Sequence, residues 1–561
     1  MSNELFHVNL NMHNLYWIAL SLTLSSTLLI KAQNANNLWY FGNDDAGIDF
    51  NLGPIATTLP AISTFTSTES SASICDDSGA LLFYTNGQDI WDKTHNIMSN
   101  GDGLLGTHTS TQGSLILPLP GSSTIFYIFI LDQQAGFLSS NGGGMSYSII
   151  DMSLNAGNGA VTIKNIPLIT PTTEKMSATR HANGESIWIS TFGWDDGNIY
   201  SYSLTCQGVD ENDLVINNLG SVHIGGPQNQ AALGQIKFNH AGTKLAMACE
   251  FLSLVEIFDF DNATGQVSNP ISINSITDPY GLEFSPDDSR LYITSKGNLY
   301  QFDLSSNNAT SITNSILNVG TMSPASPISA MQIAPDNKIY IARYQQSYLS
   351  VINNPDDLGN NCNFSNNGIS LNSKKSHFGL PNFIKGEPYV ITETPLADFS
   401  YDIACINELT SFSNLSSGNI INWAWDFGDG STSSDSLPAH VFTYGSFNTT
   451  LSVSNECTTT TVSKTIIPES CESLFIPSAF SPNNDGVNDE FKIRGSGIKE
   501  IAISIFNRWG EILFQSTDPD FSWDGDISNA DMNVQVVIIH SLITFDDEST
   551  TTITKNLTIV R

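Results

Sequence analysis

The sequence predicts an all-β protein: a β-propeller of six or seven blades, then an immunoglobulin-like β-sandwich, then a second small β-sandwich at the C-terminus. Three observations predict it. A hairpin pattern recurs between Asn34 and about Thr392: a short hydrophobic strand, a turn of Asp, Asn and Gly, then a strand of alternating aromatic and aliphatic residues. The clearest copies are spaced near 50 residues, the period of a multi-stranded blade. Beyond residue 392 the repeat stops, and short alternating strands with Gly-bearing turns take over.

The chain has 561 residues and a net charge of −34, from 21 Lys and Arg against 55 Asp and Glu. That length holds several domains. Hydrophobic residues at 40% and aromatics at 10% exclude wholesale disorder. Only 14% of residues are charged, so Asn, Ser, Thr and Gly must cover much of the surface. So acidic a chain has no basic face with which to displace the counterions of nucleic acid, and an anionic membrane is an equally poor partner.

The first element is an address. Ile18 to Ile30 form one apolar run, followed by Lys31-Ala32-Gln33. The run is too short to span a bilayer comfortably and reads as the core of a secretory signal peptide over residues 1–32, cleaved after Ala32. No Lys or Arg precedes it, and Met12 is an alternative start. No later segment reaches about 18 apolar residues, so no membrane span is predicted. The seven cysteines contain no CxxC pair, which argues against a zinc or redox centre.

The propeller is assigned to residues 33–392. Its copies include ATRHANGESIWIST (178–191), IKFNHAGTKLAMAC (236–249), LEFSPDDSRLYITS (282–295) and MQIAPDNKIYIAR (331–343). Aligned on the turn, Gly184, Gly242, Asp288 and Asn337 lie 58, 46 and 49 residues apart. ASICDDSGALLFYT (72–85) and LILPLPGSSTIFYIFI (115–130) are weaker copies. Each sheet is apolar on both faces and needs a neighbour on each side, which a ring supplies. A seventh blade would come from LWYFG (38–42) pairing with the segment before Glu387. With their Pro286-Asp287-Asp288 and Pro335-Asp336-Asn337 turns, these repeats resemble WD-type and YVTN-type propellers, a resemblance that implies fold and not function.

In residues 393–470, Ile421, Trp423, Trp425 and Phe427 alternate on one strand, placing a large apolar load on one face, and lead into a tight turn. The run Trp425-Asp426-Phe427-Gly428-Asp429-Gly430, with Pro438-Ala439-His440 and Tyr444-Gly445-Ser446-Phe447, resembles a polycystic-kidney-disease (PKD) domain. That resemblance implies an extracellular spacer or contact module in which Trp425, Asp426 and Asp429 are structural. Cys405 and Cys457 lie near opposite ends of the module and can staple its two sheets.

The last element, residues 471–561, carries Phe480-Ser481-Pro482-Asn483-Asn484-Asp485-Gly486-Val487-Asn488-Asp489, then Phe506-Asn507-Arg508-Trp509-Gly510, then Trp523-Asp524-Gly525. It resembles the gliding-motility-associated C-terminal domain, the type B sorting domain of type IX secretion cargo. The resemblance implies recognition by the type IX secretion machinery and delivery through the periplasm to the cell surface or the medium. After Trp523 the chain departs from the family pattern, with Asn533-Val534-Gln535-Val536 and the turn Asp546-Asp547-Glu548-Ser549. Asn483, Asp485, Asn488 and Asp489 offer hard oxygens around a glycine turn, which is Ca²⁺ chemistry. The alternative is an Asx-rich turn held by its own hydrogen bonds.

No HExxH, GxSxG or GxxxxGK[ST] motif occurs, and no two histidines stand at metal-ligand spacing. His181 and His240 occupy similar places near the turns of two copies and read as scaffold. No catalytic residue and, apart from that Ca²⁺ option, no cofactor is assigned. The expected function is surface display or secretion of an adhesin-like propeller that binds a glycan or a surface protein. A propeller enzyme acting on extracellular polysaccharide and a structural spacer of a surface assembly are the alternatives.

Overall fold

In the computed structural model the described residues are 34–560 without 44, 59, 61–62, 135–142, 307, 386–393, 470–472 and 527–533. The predicted signal segment lies outside them. The chain forms two units, Met1–Glu393 and Thr394–Arg561. Among the described residues no helix is long and apolar enough to cross a membrane.

Among the described residues the first unit contains seven antiparallel sheets, each built from consecutive strands. Blades 1 and 2 have three strands each, beginning at Leu38 and Ala72; blades 3 to 7 have four each, beginning at Ser114, Thr172, Ile236, Pro279 and Met331. All six hairpins read from the sequence are the first two strands of a blade. Their aligned turn residues Gly184, Gly242, Asp288 and Asn337 share positive φ values of 60 to 75°. That is the conformation for which Gly, Asn and Asp are selected.

Buried side chains join the sheets in cyclic order. Leu291 and Ile293 pack toward blade 5, while Tyr292 on the opposite face packs toward blade 7. The ring closes where Trp39, Phe41 and Ile48 of blade 1 meet Tyr340, Leu349 and Val351 of blade 7. Closure differs from the expected pairing of the two ends. The strand Leu38–Phe41 pairs with its own neighbour, Ala46–Asp49. The segment 378–385 instead runs along the axis as a strap. Its amides bond Thr68 and Ser71 ahead of blade 2 and Ala178 on the inner strand of blade 4, and Phe378 O accepts from Ala330 ahead of blade 7. The inner strands present polar groups that a passing backbone can satisfy, so the strap fills the channel where a further edge strand would leave it open.

In the second unit, a three-stranded sheet (Phe399–Tyr401, Leu409–Asn414, Ala439–Val441) faces a four-stranded one (Thr432–Ser433, Asn422–Asp426, Phe447–Ser454, Thr459–Ile466). Phe399, Phe412, Trp425, Phe427, Leu451 and Val453 fill the space between them. The C-terminal region has a five-stranded sheet in the order Ala479–Phe480, Thr550–Val560, Val534–Phe545, Ile498–Phe506, Ile512–Ser516, with only the first pair parallel. Ile501, Ile503 and Ile505 alternate into its core with Phe480, Phe491 and Trp523. The Asp546-Asp547-Glu548-Ser549 turn closes without glycine: Glu548 takes φ 66° and Asp547 caps the amide of Ser549.

Candidate functional site

The inner strands run the same way around the ring, so the axis has two ends, and each gathers buried polar groups from several blades. At the end where the strands begin, Glu69 and Glu174 approach through Thr111. Glu174 accepts the amide N–H groups of Thr111 and Gln134 at 3.0 and 2.9 Å. Glu69 accepts the hydroxyls of Tyr280 at 2.9 Å and Thr111 at 3.3 Å. Burial, reinforced by the charge of Glu174, pushes the Glu69 carboxyl from 4.5 up to about 8. Lys175 donates to the carbonyls of Ala232 at 2.6 Å and Ala231 at 3.4 Å, and burial brings it down to about 8. Beside it lies His223, fully buried and stacked on Phe192, its pKa well below 6.5 for the same reason.

At the opposite end, Lys385 of the strap donates to both carboxylate oxygens of Glu283 at 2.7 Å. Lys237 reaches the same carboxylate at 3.9 Å and donates to Gln332 Oε1 at 2.6 Å. Lys237, Glu283 and Gln332 come from blades 5, 6 and 7 and occupy one position of the repeat, five residues before the aligned turn residue. This is the signal that sequence reading missed: a polar residue at the centre of an otherwise apolar inner strand, at the same place in IKF, LEF and MQI.

A depression of about 540 Å³ opens over this cluster, lined by Asn37, Asn51, Gln332, Asn337, Phe383 and Lys385 among others. Its carboxamides are chained together. Asn37 Nδ2 donates to the side-chain oxygens of Asn34 and Asn51 at 3.1 and 3.0 Å, and Asn51 donates onward to Asp49 and Gly79 O. Asn37 is 5% exposed, yet its Oδ1 has no hydrogen-bond partner among the described residues. His240 lies on the rim. Its neighbouring copy, His181, accepts the amide of Asn183 at 3.0 Å and stacks on Trp188, a scaffold role.

The motif residues of the second unit fall into place locally. Trp425 and Phe427 are core residues, and Trp425 Nε1 donates to Asp435 O. Asp426 and Asp429 cap the amides of Gly428 and Ser431, and Asp429 also meets His440 at 2.7 Å, whose ring stacks on Phe427. Gly428 and Gly430 both have positive φ. The disulfide expectation needs correction. Cys405 is disulfide-bonded, but Cys457 is a thiol. It sits in a turn where its own amide bonds Asn455 Oδ1, a geometry set by the hairpin and not by a cross-sheet bridge.

In the C-terminal region two separated motifs meet. Gly525, at φ 74°, lies against Phe480 and Pro482, and a Cβ there would stand 2.8 Å from the Phe480 ring. Trp523 packs on Phe480 at 5.7 Å. Asp524 caps the amide of Asp526. Asn507 holds its turn by accepting the amides of Trp509 and Glu511, and Gly510 takes φ 84°. The tip displays Trp509, 76% exposed, with the Arg508 guanidinium over its ring. In the Asx-rich loop, Asp489 accepts the amides of Asn483, Asn484 and Gly486 at 3.0, 2.7 and 2.8 Å, which hold its carboxyl below the usual range. Asp485 accepts Val487 N–H and Asn483 Nδ2, and Asn488 O accepts Ser481 N–H. These bonds are those of a self-capped Asx turn.

Comparison with known proteins agrees with this division. Residues 474–557 match the model of the CHU_C type IX secretion signal domain, and residues 393–467 match that of the PKD domain. The PKD1 domain of the Vibrio cholerae metalloprotease PrtV is 30% identical, covering 14% of this chain and 99% of that one, with a TM-score of 0.13. A putative 6-phosphogluconolactonase of Bacteroides fragilis is similar over 63% of this chain and 96% of its own, at 11% identity and a TM-score of 0.37. The periplasmic gluconolactonase PpgL of Pseudomonas aeruginosa covers 69% and 94%, at 11% identity and a TM-score of 0.32. No curated protein matches the chain.

Proposed function

For a chain that carries a PKD domain and, after it, a type IX secretion signal domain marking it for export to the cell surface or the medium, we propose that the propeller is the working part, an adhesin-like module that binds glycan in the depression over Lys385. The observation that carries this reading is the carboxamide lining with its buried, unpartnered Asn37 Oδ1. A carboxamide donates and accepts at once, which suits hydroxyl groups that do the same. A buried acceptor left without a partner costs about 1–3 kcal/mol, recovered when a ligand hydroxyl donates to it. The test is retention of the mature protein on a panel of insoluble polysaccharides. The expected result is retention on at least one, reduced about tenfold by Asn37→Ala. Retention unchanged by that substitution places binding elsewhere.

A second reading, an enzyme acting on extracellular polysaccharide, is favoured by one observation at the other end of the axis. There Glu69, with its carboxyl raised to about 8, faces Glu174, whose two oxygens both accept amides. Two carboxyls whose surroundings differ in this way are the parts from which an acid–base pair is built. New reducing ends released from the same panel, and lost in Glu69→Gln, would favour it.

A further inference from the structure

The floor of the depression has an uneven charge balance. Two ammonium groups, Lys237 and Lys385, share one carboxylate, Glu283, and all three residues are at most 6% exposed. Lys385 is bidentate on that carboxylate, so Lys237 stands farther off and takes a neutral amide oxygen as its close partner. The remaining charged group lining the depression is Asp336, engaged by the Tyr340 hydroxyl at 2.8 Å and the Lys338 amide at 3.2 Å; His240 is the other titratable one. Burial, with Lys385 adding its repulsion and Glu283 opposing, brings Lys237 down to about 7, and a second negative charge nearby would favour its protonated form. The overall charge of −34 does not cancel this, because charges more than about 8–10 Å apart are screened at physiological salt while a buried cluster is not.

We propose that the depression takes an acidic carbohydrate, with a uronate carboxylate seated over Lys385 and Gln332 where it supplies the second negative charge that the Lys237–Glu283–Lys385 cluster lacks. This rests on the glycan-binding reading of the same depression. It adds a division of labour: Asn37 meets a hydroxyl, and the blade 5–7 cluster meets the acid.

The test is calorimetric titration of the mature full-length protein with oligogalacturonate and oligomannuronate, each paired with its own methyl ester. The ester keeps the skeleton and hydroxyls and removes the charge. At least one acid should bind about tenfold more tightly than its ester, with the preference shrinking as salt is raised. Lys237→Gln, which leaves one ammonium per carboxylate, should lower that ratio toward one. The acid-to-ester ratio of the wild-type protein decides the matter even if the variant folds poorly. Equal binding of acid and ester in both pairs overturns the acidic specificity and leaves glycan binding standing. No binding to any of the four, with retention on a neutral polysaccharide, also overturns it. No binding to any glycan removes both readings.

Discussion

The propeller and the C-terminal region are both all-β, but they treat charge in opposite ways. The propeller buries Glu69, Glu174, Lys175, Lys237, Glu283, Arg343 and Lys385. Among the described residues of the second unit no charged residue is buried, and its buried polar residues are Thr410, Thr449, Asn455 and Ser541. The difference follows from topology. A sandwich closes two apolar faces on each other and sends every charged side chain outward. A propeller points the edges of several inner strands at one axis, where side chains from different blades crowd together away from water. Ionisable groups are tolerated there only if they are paired, hydrogen-bonded or shifted toward the neutral form, and those arrangements become the distinctive chemistry of the molecule.

The largest contrast is functional. Removing residues 472–561 should abolish extracellular protein and trap the remainder in the periplasm, as read by cell fractionation. The propeller should stay folded in that fragment, because among the described residues its core clusters contain none beyond 383 except the packing partner Ile384.

Next comes the buried pair against a surface one. Lys385→Met removes the bidentate partner of Glu283, leaves it Lys237 at 3.9 Å, and should destabilise the propeller by about 1.5–3 kcal/mol in chemical denaturation. Lys499→Met breaks the exposed pair with Glu548 in the C-terminal region and should leave stability almost unchanged, because solvent screens such a pair. Comparable effects would erase the distinction between the two regions.

The pH response should also divide them. Glu69 holds a proton more tightly in the folded state, with its pKa raised from 4.5 to about 8. Its contribution is therefore fully favourable below about pH 4.5 and is lost as pH rises toward 8, at up to about 1.4 kcal/mol per pH unit. Glu69→Gln, which cannot ionise, should flatten that decline in a series of melts across the window. The depressed pKa values of Lys175 and Lys237 act with the opposite sign, adding stability as pH rises from about 7–8 toward 10.5.

Smaller effects test the turns of the sorting region. Gly525→Ala forces a Cβ toward Phe480 at a positive φ and should cost about 1–3 kcal/mol. Gly510→Ala, also at positive φ but in open space, should cost about 1 kcal/mol. Smallest of all, millimolar Ca²⁺ or a chelator should leave the melting temperature within about 1 °C, because the loop is already held by the amides that Asp489 accepts.

The same contrast explains what could be read in advance. The turn residues Asn507, Gly510, Asp426 and Gly428 act on neighbours a few positions away, so their roles are written in short motifs. The hairpins of the propeller are local as well, and their turns announce them. The Cys405–Cys457 expectation failed because pairing depends on which loops meet, and sequence position near the ends of a module does not settle that. The strap was missed because its partners lie in four different blades.

By itself the sequence determined the order of modules, the blade hairpins with their Asp, Asn and Gly turns, and the type IX secretion signal domain, since each depends on periodicity or on contacts within one turn. Only the tertiary structure decided the seventh sheet, the filling of the axis and the depression above it. Tyr280 and Glu69 are separated by 211 residues, Lys385 and Glu283 by 102, and Lys237 and Gln332 by 95. Such pairs are made by ring closure, which sets blades side by side whatever the chain distance between them. A lone polar residue in an apolar strand acquires a chemical meaning only when the opposing blade arrives.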